Sequence, residues 1–402
     1  MLNPSLALLV SIGAILILLR LRVHPGLAIF AGGLIISLLV LPLHLIPSLM
    51  LQSLLDYQTL RLLVVIACAL TLSSLMEEKG LLAKLAAVME GISPRLAMHL
   101  VPAVIGLVPM PAGALVSATT LRGLVKRMGL TPEQSTFINY WFRHIWEFSV
   151  PVYPSIIMTS VILSIPLFSV VKTLFPMTIL VIVSGIVLSY GILKKVPRIK
   201  GGPSNKKIIA YNLLKASWPI LLLVFSILLG LDVMIAFPLT LALLALQQRV
   251  KWPELRKAFK YGLDLKILFL LYAVMLYKTI IESSDAAYAI FSDMQAIGLP
   301  VLVILVVLPF LMGFATGLGM AFVGIALPLL VPFITSDLGF NNYALLLAFF
   351  SGMMGVFLSP LHLCLILSAE FFKASLAKVY KYILPLSMAM EAIVILIYFI
   401  AT

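Results

Sequence analysis

The sequence predicts an all-α polytopic membrane protein with about ten transmembrane helices and two re-entrant helical hairpins. Hydrophobic residues occupy 62% of the 402 positions and charged residues only 11%, whereas soluble domains are about half apolar and a quarter charged. Apolar runs long enough to cross a ~30 Å hydrocarbon core recur along the whole length. No polar stretch is large enough to form a soluble domain.

The predicted spans are the apolar runs between charged gaps. They lie at about 3–19, 25–42, 61–77, 135–163, 174–193, 217–231, 234–248, 265–281, 342–368 and 382–400. The first run has no basic segment ahead of it, so we expect a retained helix and not a cleaved signal peptide.

Charge sets the expected orientation in the lipid bilayer. Residues 194–215 carry seven basic side chains and no acidic one, which is typical of a cytoplasmic linker. The basic gaps at 249–260 and 370–381 should lie on the same side. This places both termini outside. The net charge of +13 belongs to these gaps, so we expect no nucleic-acid partner.

Two apolar stretches do not fit as simple spans. One, at about 95–128, carries PMPAG at its centre, and the other, at about 300–335, carries ATGLG. A leg of 12 residues reaches only ~18 Å, which is short of a crossing. Pro/Gly clusters also leave backbone groups unpaired, which hydrocarbon does not tolerate. We therefore predict re-entrant hairpins.

The two halves of the chain resemble each other. LVPAVIGL (100–107) and VLPFLMGF (307–314) share Pro-x-x-x-Gly, and each hairpin precedes a long span that is broken near its middle. These breaks are predicted at 149–154 and 358–363. The first half would begin outside and the second inside. Residues 1–193 and 216–402 are therefore predicted to be inverted repeats, an arrangement typical of secondary transporters.

The first broken span holds the most costly side chains. Arg143, His144 and Glu147 lie about ten residues into it, where a charge costs ~2.5–3.5 kcal/mol. Helical spacing would place Arg143 and Glu147 on one face. We expect Arg143 to position an anion and Glu147, with His144 or His362, to couple protons. The alternatives are mutual pairing of Arg143 with Glu147, or side chains that extend to the headgroups.

The hairpin tips and the second break supply the other candidates. Small residues at a tip let a solute approach the backbone, although they also favour close helix packing. His362 at the second break is either a site residue or a hydrogen-bonded core residue. The remaining substrate-binding candidates are Pro109, Met110, Pro111, Ala112, Gly113, Ser117, Ser149, Tyr153, Thr316, Gly317, Gly319 and Ser359.

No cofactor or metal is expected. Cys68 and Cys364 both fall in apolar segments and read as free buried thiols. His144-x-x-Glu147 resembles half of a metal site, but HExxH is absent and no further ligand stands nearby in the sequence. A GxxxxGK[ST] motif is also absent, which argues against energisation by ATP.

MPAGALVSA, FRHIWEFSVPVYP and SPLHLCLILS resemble signature segments of a prokaryotic membrane family, domain of unknown function 401. That family is similar in layout to the ion-transporter superfamily, which includes citrate, dicarboxylate, gluconate and arsenite permeases. The resemblance implies a scaffold domain, a mobile transport domain with both hairpins, elevator-type alternating access and a homodimer. It also implies a site formed by residues 109–113, 147–154, 316–319 and 359–362.

The chain lacks the Ser-Asn-Thr tip motifs of the sodium-coupled dicarboxylate members, which argues against sodium coupling and dicarboxylates. We therefore expect a secondary transporter of a small anionic solute in the cytoplasmic (inner) membrane of a prokaryote, coupled to protons in preference to sodium. It is not expected to be an enzyme. The alternatives are a membrane-embedded enzyme or a channel that uses Arg143, His144, Glu147 and His362.

Overall fold

A computed structural model of the chain describes residues 2–81, 84, 93–107, 113–194, 206–336 and 339–402. Within these residues nearly all regular structure is helical. Thr335–Ser336 (β1) and Gly339–Phe340 (β2) add one short antiparallel pair of strands. Among the described residues, four helical stretches are long and apolar enough to cross a membrane, namely Tyr57–Glu78, Leu167–Leu193, Asn342–Phe372 and Leu376–Ala401. The predicted all-α membrane class is confirmed at this level.

The described helices and 3-10 turns of the first half follow one another in chain order. They are α1 (Pro4–Arg20), α2 (Pro25–Val40), a 3-10 turn (Leu43–Leu45), α3 (Ile46–Leu55), α4 (Tyr57–Glu78), α5 (Pro94–Gly106), α6 (Gly113–Met128), α7 (Pro132–Arg143), a 3-10 turn (Ile145–Phe148), α8 (Pro154–Ile162) and α9 (Leu167–Leu193).

The second half follows a similar order. Its helices are α10 (Lys206–Leu228), α11 (Val233–Gln247), α12 (Trp252–Gly262), α13 (Leu265–Ser283), α14 (Ala286–Ala296), α15 (Val301–Thr316), α16 (Gly319–Ile334), α17 (Asn342–Leu358), α18 (Leu363–Phe372) and α19 (Leu376–Ala401). Each half thus has a helical pair, a short helix, a longer helix, a two-helix hairpin, a broken helix and a final long helix, and the second half has α14 in addition before its hairpin.

Proline marks where many of these helices begin. Pro4, Pro25, Pro94, Pro132 and Pro154 are each the first residue of a helix. Proline suits this position because the first amide of a helix has no partner within it and the fixed φ already matches the helix. The apolar sequence is therefore divided into helices by local signals.

The helices pack in two groups. The first contains α1–α4 and α10–α14, and the second contains α5–α9 and α15–α19. The groups meet where α16 packs against α13 and α14, where α8 packs against α4, and where α1 contacts α15. Within the second group the two halves of the chain are intertwined. Helix α16 of the second half contacts α8 of the first half, and α18 of the second half contacts α6 and α7 of the first half. Each hairpin therefore packs against a broken helix of the other half.

Three short helices, α3, α12 and α14, lie in gaps that the sequence analysis leaves without structure. Helix α12 forms within the basic gap because its buried face packs on α4, leaving its lysines at the surface. Lys79 Nζ donates to Glu254 Oε2 at 2.6 Å, and Lys257 Nζ donates to Glu78 Oε1 at 3.1 Å. These ion pairs attach α12 to the end of α4.

Candidate functional site

The tip of the second hairpin is attached to the second helix break. Gly317 ends α15 in the left-handed region, with φ 64°, which glycine adopts without strain. The Ser359 hydroxyl donates to the Phe314 carbonyl at 2.7 Å, and His362 Nδ1–H donates to the Gly317 carbonyl at 2.8 Å. Thr316 Oγ1 accepts from the Leu318 amide at 3.3 Å. Four predicted site residues therefore meet here.

The first break begins earlier than the sequence indicates. Helix α7 ends at Arg143, and a 3-10 turn follows over Ile145–Phe148. The His144 amide donates to the Trp141 carbonyl at 3.1 Å, while His144 Nδ1 bonds the Tyr140 carbonyl at 2.5 Å. The imidazole thus takes the acceptor that a continuing α-helix would use. The expected i, i+4 placement of Arg143 and Glu147 on one α-helix is therefore wrong.

The two histidines meet at the junction of the two breaks. His144 Nε2 and His362 Nε2 lie 3.1 Å apart, and both side chains are buried. A carbonyl oxygen can only accept, so both Nδ1 atoms carry a hydrogen. In the neutral imidazoles both Nε2 atoms would then present lone pairs to each other. This contact requires a cation between the two nitrogens or a charge on one ring.

Arg143 lies beside this pair and is only 2% exposed. Its Nη1 donates to the Tyr153 hydroxyl at 3.3 Å, and that hydroxyl donates to the Gly106 carbonyl at the end of α5. Trp146 Nε1 also donates to the Ala103 carbonyl at 2.7 Å. The first break is therefore fixed to the first hairpin, as the second break is fixed to the second.

Glu147 lies at the edge of the same centre. Its Oε1 is 3.9 Å from His144 Nε2, and its side chain is 16% exposed. The three charged or titratable residues of the FRHIWE segment thus remain neighbours despite the early end of α7. Arg143 contacts Tyr153, and Glu147 lies near His144.

Cys364 completes a group that the sequence analysis misses. A ligand atom from each of His144, His362 and Cys364 lies within 4.8 Å of the other two. Cys364 is expected from the sequence to be a free thiol because it lies in an apolar segment, and its partner His144 is more than 200 positions away in the sequence. The only local signal is the spacing His362-Leu-Cys364 at a helix break.

The other predicted residues have more varied positions. The Ser117 hydroxyl donates to the Ala114 carbonyl of its own helix at 3.1 Å. Ser149 Oγ lies 2.6 Å from Thr178 Oγ1 and so joins the first break to α9. A Cβ at Gly319 would lie 3.4 Å from Ser155 Cβ, so α16 begins beside α8. Gly113 is the buried first residue of α6, and Pro109, Met110, Pro111 and Ala112 lie outside the described residues.

Two polar residues inside helices, the buried Asn139 and the half-buried Glu391, are not among the predicted site residues because no helix break marks them. Asn139 Nδ2 donates to the Ala114 carbonyl at 3.0 Å and to Ser368 Oγ at 2.9 Å, which links the first hairpin to α18. Glu391 in α19 accepts from the Ser351 hydroxyl. A polar residue inside an apolar span is costly in lipid, and this is the signal that would have found both.

The centre brings together both helix breaks and the second hairpin tip. Its main side chains, Arg143, His144, Tyr153, Thr316, Ser359 and His362, are each at most 7% exposed. The fold and the site define an all-α membrane protein in which broken helices from both halves meet at a buried, polar centre that contains Arg143.

The chain belongs to the family described as Protein of unknown function (DUF401), which matches residues 3–401. This confirms the family predicted from the three signature segments. None of the curated proteins matches the chain.

Proposed function

We propose that this protein is a secondary active transporter of a small anionic solute across the cytoplasmic membrane of a prokaryote. The observation that carries the proposal is the convergence of helix breaks from both halves around Arg143 in the protein interior. Breaks within membrane helices expose backbone groups that a solute can bind.

Side-chain contacts support the predicted orientation of the spans and the inverted repeats. Each contact joins two gaps or span ends that the charge pattern places on the same side of the membrane. On the outer side these are Arg61 with Asp232 and Thr173 with Asn342, and on the inner side Lys79 with Glu254 and Glu133 with Ser375. Ten spans with both termini outside agree with all four contacts.

The grouping of helices supports an elevator mechanism. Both hairpins and both broken helices belong to one group, and that group therefore holds the whole centre. The other group, α1–α4 and α10–α14, is suited to the role of a scaffold. The resemblance to the ion-transporter superfamily adds that two scaffolds would join in a homodimer.

An anion suits the electrostatics of the centre. The guanidinium of Arg143 is buried there, and α8, α16 and α18 begin within two residues of Tyr153, Gly317 and His362 of the centre. The amino end of a helix carries partial positive charge and free amide groups, which favour an anion. The Tyr153 and Ser359 hydroxyls already donate to the Gly106 and Phe314 carbonyls, so the proposed anion contacts are the guanidinium and the helix amides.

Protons suit the centre better than sodium as the coupling ion. The described side chains of the centre offer imidazole nitrogen, thiol sulfur and the hydroxyls of Tyr153, Thr316 and Ser359, together with a single carboxylate from Glu147. Hard cations favour sites built from several oxygens. A proton gradient is therefore the proposed energy source.

The test is a thermal-shift screen of organic and inorganic anions on the purified protein at two pH values. Compounds that bind should be measured again with Arg143→Ala and Glu147→Gln. Arg61→Ala is the matched control, because Arg61 pairs with Asp232 away from the centre. We expect Arg143→Ala to lose binding and Arg61→Ala to keep it. If Arg143→Ala and Glu147→Gln both bind every compound as tightly as the parent, the site assignment is wrong.

Transport itself requires proteoliposomes. Saturable uptake against a concentration gradient, driven by an imposed pH gradient, is the expected result. Uptake driven only by sodium would exclude the proposed coupling. Flux that does not saturate and never exceeds equilibrium would instead identify a channel.

A further inference from the structure

We propose that His144, His362 and Cys364 form a binding site for Zn²⁺ at the junction of the two helix breaks. Their ligand atoms lie within 4.8 Å of one another, and both histidines are buried. Imidazole nitrogen and cysteine sulfur together are ligands that favour zinc over calcium or magnesium.

The separation of the nitrogens matches such a site. Bonds of about 2.0–2.1 Å from zinc to nitrogen, at a tetrahedral angle, place two nitrogens roughly 3.3–3.4 Å apart. The observed separation of His144 Nε2 from His362 Nε2 is 3.1 Å. Only a small adjustment of either ring is needed to admit the ion between them.

Both imidazoles are also oriented as zinc ligands usually are. His144 Nδ1–H bonds the Tyr140 carbonyl, and His362 Nδ1–H bonds the Gly317 carbonyl. Such outer hydrogen bonds fix the tautomer, so that the free nitrogen points at the metal. The carbonyls come from α7 and from the tip of the second hairpin, so both halves of the chain orient the ligands.

A proton shared between the two imidazoles would satisfy the same nitrogens, but it would need no third ligand. Cys364 lies beside both rings, and this third donor is what favours a metal ion. Glu147 Oε1, 3.9 Å from His144 Nε2, is placed to take the fourth position. The set would then be two imidazoles, one thiolate and one carboxylate.

The ion would also change the charge of the centre. Without it, Arg143 and Glu147 formally cancel. A divalent ion with the Cys364 thiolate leaves a net positive charge, which attracts an anion. This role rests on the proposed function, whereas the metal site itself does not.

Cobalt(II) is a suitable probe, because a cobalt–thiolate bond gives a charge-transfer absorption band and tetrahedral cobalt gives visible bands. The untagged, full-length protein in detergent should bind Co²⁺ with this band, and Zn²⁺ should displace it. Cys364→Ser should lose the band, and both Cys364→Ser and His362→Gln should bind at least about a hundredfold more weakly. Cys68→Ser is the matched control and should retain the band, since Cys68 lies in α4.

The proposal is wrong if the parent shows no thiolate band, or if Cys364→Ser keeps it. Should the variants fail to fold, X-ray absorption of the zinc-loaded parent decides the matter. Two nitrogen neighbours and one sulfur neighbour are expected, and a shell without sulfur would overturn the site. No solute is present in these measurements, so their failure leaves the proposed transport intact. Likewise, a failed transport assay leaves the metal site standing.

Discussion

Replacing Gly317 with alanine should lower the free energy of unfolding by more than the cost of backbone strain alone. Gly317 has φ 64°, and a Cβ there would lie 2.9 Å from the His362 backbone nitrogen and 3.0 Å from the Leu361 carbonyl carbon. The left-handed conformation costs alanine about 1–2 kcal/mol. Overlap with backbone that cannot rotate away adds about 1–3 kcal/mol. Gly317→Ala should therefore lose about 2–5 kcal/mol of unfolding free energy.

Gly298→Ala separates these two contributions. Gly298 has φ 68°, almost the same conformation, but a Cβ there meets nothing within 4 Å. It should lose only the conformational part, about 1–2 kcal/mol. The assay is reversible unfolding of the detergent-solubilised protein by titration with sodium dodecyl sulfate. If the two variants lose equal stability, the second hairpin tip does not press against the second break, and the reasoning fails.

Three further predictions follow, two on helices around the centre and one on the ion pair between α4 and α12. Gly313→Ala should lower the free energy of unfolding by about 1–3 kcal/mol in the same titration, since its Cβ would overlap the α17 backbone. Gly13→Ala is the control, because a Cβ there meets open space. An equal loss in the two variants would contradict the predicted overlap. Asn139→Ala should lower the free energy of unfolding by about 1–3 kcal/mol, because it removes two buried hydrogen bonds. Unchanged stability would contradict the importance of these two bonds. The hydrogen bond from Lys79 lowers the pKa of Glu254. The ionised Glu254 therefore stabilises the folded protein at pH values above the normal carboxyl pKa. This stabilisation is lost as the pH falls through the lowered pKa. Glu254→Gln should flatten the acid side of a plot of Tm against pH, and an unchanged acid side would argue against this linkage.

Local signals explain why the second break is predictable and the first is not. Helix α17 ends at Leu358 and α18 begins at Leu363, where Ser-Pro interrupts the apolar run. At the first break the prolines mark only the far end, since α8 begins at Pro154. Its near end depends on tertiary contact, because Gly106 packs directly against the Arg143 carbonyl. Sequence patterns do not report such contacts.

The composition of the centre shows the same limit. Arg143, His144 and Glu147 are predictable because charge inside an apolar span is rare. Cys364 is not, because it acquires its role from its contact with His144 of the other half. The packing of α12 on α4 likewise depends on partners distant in the sequence. Periodicity identifies helices, but it does not determine which faces meet.

The intertwining of the two halves has a consequence for biosynthesis. Helix α8 packs against α16, which is made about 160 residues later, or roughly 10–30 s later at ordinary rates of synthesis. During that interval the polar residues around Arg143 lie in the membrane without the second-half residues that contact them in the folded protein. The membrane insertion machinery would therefore have to protect the first half until the second arrives. Co-expression of the two halves as separate chains would show whether they still associate into the folded protein.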